Sequence, residues 1–345
     1  MPLNPKIKFA ENILDLKKVE QVPVRNGYGQ GLVEAGRINK NIVVLCADLT
    51  ESTRSEDFRK EFPGRFVELG VAEQNMASVA AGMAAMGKIP FISSYAMFSP
   101  GRNWEQIRTT ICYNNRHVIV AGAHAGVSVG PDGATHQAIE DIAITRVIAN
   151  MTVIAPGDVH EARKATMAAA ELDGPVYIRF AREKTPVFTT SETPFEIGRA
   201  EILWEPAFAK ASAGKPAPDK CDVAIIACGP LAHNALLAAS ELEKEDIGVI
   251  VINNHTIKPL DEKTILKAAK DAGTLVTVEE HQINGGMGSA VAELTSRNYP
   301  VPIEFIGVQN SFGQSGSPSE LIEHFGMSAK NIIEAAKRAI SRKQI

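Results

Sequence analysis

IVVLCA at residues 42–47 is the first of six short apolar runs whose spacing decides the fold. The others are RFVELG (65–70), KIPFISS (88–94), HVIVAG (117–122), TVIAP (152–156) and PVYIRF (175–180). Each is too short for a helix and apolar along nearly its whole length, so each reads as a strand covered on both faces. Segments of helical period separate them, at residues 26–39, 72–86, 101–113, 136–147 and 158–172. Strand–helix alternation of this kind implies a parallel sheet layered between helices. Asp158 reads as the N-cap of the last of these helices, with Glu161 three residues on as in a capping box. Helix 72–86, AEQNMASVAAGMAAM, is rich in Ala and Gly nearly all round and reads as buried among neighbours.

The pattern breaks over residues 184–221. Lys-Thr-Pro, Glu-Thr-Pro and the stretch EPAFAKASAGKPAPDK read as a linker plus an exposed loop. A second alternation follows, with apolar runs at 222–227, 247–252, 274–279 and 302–307 and helices at 231–244, 261–271, 286–297 and 328–343. The expectation is an α/β protein of two domains, each a mainly parallel sheet covered by helices. The first spans residues 1–185, the linker 186–221 and the second 222–345. The two modules show no internal repeat.

Composition narrows the function. Hydrophobic residues are 45% and charged residues 22%, the balance of a soluble globular chain, which excludes collagen, coiled coil and disorder. Thirty-six basic against forty acidic side chains give a net charge of −4, so nucleic acid is not an expected partner. The longest stretch without Asp, Glu, Lys or Arg, Val223 to Ser240, carries Gly229-Pro230, His233 and Asn234, which argues against a membrane span. The N-terminus has no signal-peptide pattern. Cys46, Cys112, Cys221 and Cys228 show no C-x-x-C spacing, and a reducing cytoplasm is the expected location.

Several residues in the first module carry chemistry. Glu73 opens the most apolar helix directly after a strand. It reads either as a carboxylate favoured by the helix dipole or as a carboxyl in a poorly solvated pocket, able to hold a proton for a ligand nitrogen. In SSYAMFSPGRNW (93–104), Tyr95 and Phe98 read either as core or as an aromatic wall for a flat heterocycle. The loop HAGVSVGPDGATHQAIED (124–141) holds His124, Asp132 and His136 between a strand and a helix, where open α/β sheets keep their chemistry. The two histidines have no Cys or carboxylate at ligand spacing, so no metal site is expected from this chain alone. Arg25, Arg179 and Arg182 are candidate anion contacts, the alternative being ordinary ion pairs. The sequence has no G-x-x-x-x-G-K-[ST] and no G-x-G-x-x-G after a strand.

Taken in order, CADLTES (46–52), GVAEQNM (70–76), SSYAMF (93–98), GPDGATHQAIED (130–141), YIRFARE (177–183) and EEHQINGGMGSAV (279–291) resemble the thiamine-diphosphate enzymes of the transketolase family. The resemblance covers nearly the whole chain but only the second half of a usual transketolase: the pyrimidine-binding domain plus the C-terminal domain, as in the smaller subunit of a split enzyme. It implies that Glu73 hydrogen-bonds the aminopyrimidine and promotes the imino tautomer through which the thiazolium loses its proton. It also implies that Phe98 stacks on the pyrimidine with Tyr95 beside it, and that Asp48 lies near the subunit interface on the cofactor side. His136 and Asp132 match groups that bind the donor sugar near the reacting carbons, which makes Glu73 and His136 the expected catalytic pair. Arg25, Ser52, His124 and Arg182 match the set that holds the sugar phosphate's far end.

The family's Gly-Asp-Gly, which holds the diphosphate and Mg²⁺, is absent from this sequence. The resemblance therefore implies a separate N-terminal subunit that ligates Mg²⁺, an α2β2 assembly, and ketol transfer between sugar phosphates of the pentose phosphate pathway. Ala125 and Ser99-Pro100-Gly101 depart from the family pattern and leave substrate preference open. The alternatives are half of a 1-deoxy-xylulose-5-phosphate synthase-like enzyme, the β subunit of a 2-oxoacid dehydrogenase, or a non-catalytic partner-binding subunit. The second module is expected to serve dimerisation and stability without supplying active-site groups.

Overall fold

The computed structural model describes residues 3–206 and 221–343. The first part of the chain runs β1 (Gln21–Pro23), α1 (Val24–Ile38), β2 (Ile42–Cys46), α2 (Glu56–Glu61), β3 (Phe66–Glu68), α3 (Glu73–Ala85) and β4 (Ile89–Tyr95). It continues with α4 (Trp104–Gln106, running on as a π-helix to Cys112), β5 (Ile119–Ala123), α5 (Asp141–Arg146), β6 (Thr152–Ile154), α6 (Val159–Ala169), β7 (Val176–Arg179) and β8 (Lys184–Pro186). The second part holds β9 (Glu201–Trp204), β10 (Val223–Ala227), α7 (Leu231–Lys244), β11 (Val249–Asn253), β12 (Thr256–Lys258) and α8 (Glu262–Ala272). It ends with β13 (Leu275–Gln282), α9 (Met287–Asn298), β14 (Ile303–Val308), α10 (Pro318–His324) and α11 (Ala329–Arg342).

The strands form a seven-stranded sheet in the order β12-β6-β7-β5-β4-β2-β3 and a five-stranded sheet in the order β14-β13-β10-β11-β9. In the first, every pairing is parallel except that of β12 with β6. Ile92, Val120 and Tyr177 lie in register in one buried cluster, and Phe91, Ile119 and Val176 in another. Successive side chains of a strand point to opposite faces, so both faces of this sheet are covered. That is why its inner strands are apolar over most of their length. Among the described residues no helix is long and apolar enough to cross a membrane.

Several expectations need correction. The stretch read as a linker and exposed loop is largely built in: β8 pairs with β1, Phe188 is fully buried, and β9 forms the antiparallel edge of the second sheet. Its segment 207–220 lies outside the described residues. Conversely, β12, drawn from the expected second domain, pairs with β6 at the edge of the first sheet. These are three- and four-residue strands, too short to show a period.

The helix expected at 136–147 begins only at Asp141: Ala138 O accepts from Gly126 N and Arg179 and Ile139 O from Gln282 N, which holds the preceding residues as a loop. Helix α3 is not buried all round: Gln74, Asn75, Ser78 and Gly82 are exposed. Asp158 does cap α6 through His160 N and Glu161 N, yet Glu161 does not close the box. Its Oε2 accepts from Gly157 N at 2.7 Å and its Oε1 from Asn253 Nδ2 at 2.6 Å, which ties the two modules together.

One close approach sets the position of the site. A Cβ on Gly27 would lie 2.0 Å from Val159 O and one on Gly31 2.6 Å from Arg163 O, so glycine lets α1 pack against α6. Arg25, in the first turn of α1, is carried with it to the rim of the large sheet.

Candidate active site

The functional side chains gather beyond the carboxyl ends of the parallel strands, the usual place for a site in an open α/β sheet. Ser52 and Arg54 lie on the loop after β2, Tyr95 ends β4, His124 follows β5 and Arg182 lies past β7. Together with Arg25 and Glu51 they line a cavity of about 270 Å³. Arg25 Nη1 donates to Ser52 O at 2.7 Å and lies 3.5 Å from His124 Nε2. Arg182 Nη1 donates to Val129 O at 2.9 Å and pairs with Asp132 at 3.2 Å.

Three guanidinium groups and one carboxylate line this cavity, so it is basic although the chain is acidic. Burial, and then repulsion by Arg54 and Arg182, lowers the Arg25 pKa. Burial, followed by the positive charge of Arg25, brings His124 down to about 2, so its imidazole is neutral at physiological pH. Arg25 Nε and His124 Nδ1 are buried with no protein hydrogen-bond partner. Two orphaned nitrogens among cations are what an anion's oxygens would satisfy.

An aromatic wall adjoins the cavity. Tyr95 stacks on His124 with centroids 3.8 Å apart, and Phe98 lies parallel to Tyr95 at 6.1 Å. His136 meets Phe98 edge-on at 5.5 Å, and its Nδ1 is 2.9 Å from Thr135 Oγ1. Glu73 stands beyond Phe98. Its side chain is 2% exposed, and its Oε2 accepts from Arg102 Nη1 at 2.7 Å. Glu73 is therefore an ion-paired carboxylate rather than a carboxyl alone among apolar groups. The side chain of Asn103 secures the Glu73 backbone carbonyl at 3.1 Å.

Two expected residues fall outside this cluster. Asp48 is exposed on the loop after β2, where its N–H donates to Glu68 Oε1 at 2.7 Å. Arg179 is no anion contact: it is buried, pairs with Asp141 at 2.8 Å, and donates to Ala138 O and Glu280 O. Arg54, Glu51 and Arg102 were missed. Arg54 sits two residues past Ser52 and Arg102 four past Phe98, but nothing in their spacing distinguishes them from surface charges.

The second module also contributes more than stability. Glu280 Oε1 accepts from Ser128 N at 2.6 Å, and Gln137 Nε2 donates to Gln314 O at 2.9 Å, so β13 and the loop after β14 buttress residues 124–141. Burial raises the Glu280 pKa, against the opposing charge of Arg179.

Comparison with known proteins gives the family. The family model for the transketolase pyrimidine-binding domain matches residues 20–187, and that for the transketolase C-terminal domain matches 213–332. A chain from Methanocaldococcus jannaschii described as a transketolase C-terminal section is 43% identical over 322 residues, covering 91% of this chain and 96% of that one. This chain belongs to the transketolase family. A 6-deoxy-6-sulfo-D-fructose transketolase subunit from a Clostridium species is 38% identical, over 94% of this chain and 97% of that protein. A solved split-gene transketolase, an inactive β4 tetramer, superposes with a TM-score of 0.84 at 42% identity, covering 93% of this chain and 99% of that one. The chain is thus a transketolase-like subunit of the split type, part of a transferase in a family that depends on thiamine diphosphate.

Proposed function

We propose that this chain supplies the pyrimidine-binding and sugar-binding side of a transketolase that moves a two-carbon ketol unit between sugar phosphates, with a separate N-terminal subunit carrying the diphosphate and Mg²⁺. The observation that carries this reading is the basic cavity, in which Arg25, Ser52, His124 and Arg182, from four separate segments, converge beside Tyr95. The cofactor's fit is supported by Arg102, a flat N–H donor that already bridges Glu73 and the ring of Phe98. When bound, the cofactor supplies the carbanion equivalent that no side chain can.

In this reading Glu73 holds the proton at the pyrimidine nitrogen, and Phe98, with Tyr95 beside it, orients the ring. His136 and Asp132 bind the sugar oxygens, Asp132 from its pairing with Arg182 at 3.2 Å and His136 from beside Phe98. Arg25, Arg182, Ser52 and neutral His124 hold the phosphate away from the breaking bond, so binding energy is used to orient the chain of carbons. Arg54 adds a third guanidinium to that end. Asp48 belongs to a loop that meets a neighbouring subunit.

Mg²⁺ is assigned to the partner, because the Gly-Asp-Gly that would hold it is absent from this sequence. The solved relative that is inactive as a tetramer of its own chains supports the need for a partner, in an α2β2 assembly. The relatives that act on a sulfosugar and on apulose 4-phosphate make the far end of the substrate the variable part.

The test is ketol transfer from xylulose 5-phosphate to ribose 5-phosphate with thiamine diphosphate and Mg²⁺. It is run with the chain alone, with a diphosphate-binding subunit, and with Glu73→Ala in the mixture. Activity in the mixture only, lost on substitution, is the expected result. Robust activity of the chain alone overturns the partner assignment, and inactivity with a partner that binds overturns the substrate.

A further inference from the structure

Arg102 has two partners, and they are the two that the reading above gives to the cofactor's ring. Its Nη1 donates to Glu73 Oε2 at 2.7 Å, and its Cζ lies 4.8 Å from the centroid of Phe98. A guanidinium is planar, bears N–H donors at its edge and stacks on aromatic faces. It therefore presents to this pair the same features, a flat face and an edge donor, that an aminopyrimidine would present.

The two cannot share Glu73 freely. The Glu73 side chain is 2% exposed, so little of the carboxylate is open to a second approach. A carboxylate that enclosed is costly to leave without a partner, which gives the empty chain a reason to keep Arg102 in place. Arg102 is far less enclosed than Glu73: its side chain is 46% exposed, and its ties are the Glu73 carboxylate and the face of Phe98.

We propose that Arg102 is a built-in plug of the pyrimidine seat, closing it in the cofactor-free chain and swinging to solvent when the ring arrives. The inference rests on the cofactor reading above. It assigns Arg102 a regulatory part in cofactor uptake: the plugged fraction lowers the apparent affinity, because a competing closed state divides the affinity of the open one.

The experiment is calorimetric titration of the two-subunit assembly with thiamine diphosphate at fixed Mg²⁺, comparing the unaltered protein with Arg102→Ala and Arg102→Lys. Removing a charged hydrogen-bond competitor should lower the dissociation constant about tenfold in Arg102→Ala. Arg102→Lys should fall between, because an ammonium pairs with Glu73 but has no flat face to lay on Phe98. The melting temperature of cofactor-free Arg102→Ala should drop, since Glu73 is left unpaired, and saturation with cofactor should restore it. An unchanged or weaker affinity in Arg102→Ala overturns the plug, and a fall in kcat at unchanged affinity would make Arg102 a positioning residue instead. Absence of saturable binding by the unaltered assembly is a separate failure, that of the cofactor reading itself.

Discussion

Arg25 offers the sharpest test of the basic cavity. Its guanidinium donates to Ser52 O at 2.7 Å and lies beside His124, so in the empty chain it is held by one backbone acceptor while two further arginines repel it. Arg25→Met removes one charged donor from the anion seat without leaving a polar stump. A hydrogen bond to a charged group contributes about 1.5–3 kcal/mol, so kcat/KM for a phosphorylated donor should fall about ten- to a hundredfold. The fold should survive: losing the Ser52 bond costs on the order of 1 kcal/mol, and relief of repulsion from Arg54 and Arg182 offsets part of it. The assay is initial-rate ketol transfer by the two-subunit assembly with xylulose 5-phosphate and, in parallel, with erythrulose, a ketol donor without a phosphate. Loss confined to the phosphorylated donor is expected. An equal loss on both donors would refute the argument, because Arg25 would then be acting on the reacting end or on the fold.

Two further predictions concern the buried charges beneath the site. Arg179→Met strands Asp141, whose carboxylate is fully buried; burial pushes its pKa up, and the charges of Arg179 and His281 with hydrogen bonds from Arg179 and Tyr177 together more than reverse that. Breaking such a pair costs about 3–5 kcal/mol, so urea unfolding should shift to clearly lower midpoints, and a midpoint unchanged from that of the unaltered chain would contradict the pairing. Glu279, which accepts from Met287 N and Gly288 N, is pushed up to about 7 by burial against those two bonds. A folded pKa above the unfolded 4.5 means the folded state holds the extra proton between those values, so stability present at low pH is lost as pH rises towards 7. Glu279→Gln should therefore flatten the fall in unfolding free energy between pH 5 and 8 by about 2–3 kcal/mol, leaving the share of Glu201, also pushed up to about 7 by burial. A profile as steep as that of the unaltered chain would exclude Glu279 as its source.

Much of the large sheet was legible in the chain. The six apolar runs became β2 to β7, because a strand buried on both faces is apolar along most of its length. Four strands were not legible: β1, β8, β9 and β12 lie outside the six apolar runs and take their partners from distant segments. The start of α5 was misplaced for a related reason. His136 to Glu140 are compatible with a helix locally, but the carbonyls of Ala138 and Ile139 are taken by Gly126 N, Arg179 and Gln282 N, all distant in the chain.

At the site, residue types and their loops were readable, whereas their alliances were not. His124 and Arg182 could be nominated as anion contacts, but the side-chain exposure that divides Arg182 from Arg179, three residues apart, is 28% against 6% and depends on where the strand ends. Glu73 could be nominated as a proton carrier. That Arg102 sits on its carboxylate depends on the turn between β4 and α4 folding back over α3.

By itself, then, the sequence determined the class of fold, the loops that carry the chemistry and the family whose motifs they match, because these follow from local pattern and side-chain type. Tertiary structure decided which charges face a cavity and which are paired in the core, how the second module buttresses loop 124–141, and that Arg102 pairs with Glu73. Those outcomes depend on distances between residues far apart in the chain, and a charge is worth a binding site or a structural tie according to the partner and the burial it meets there.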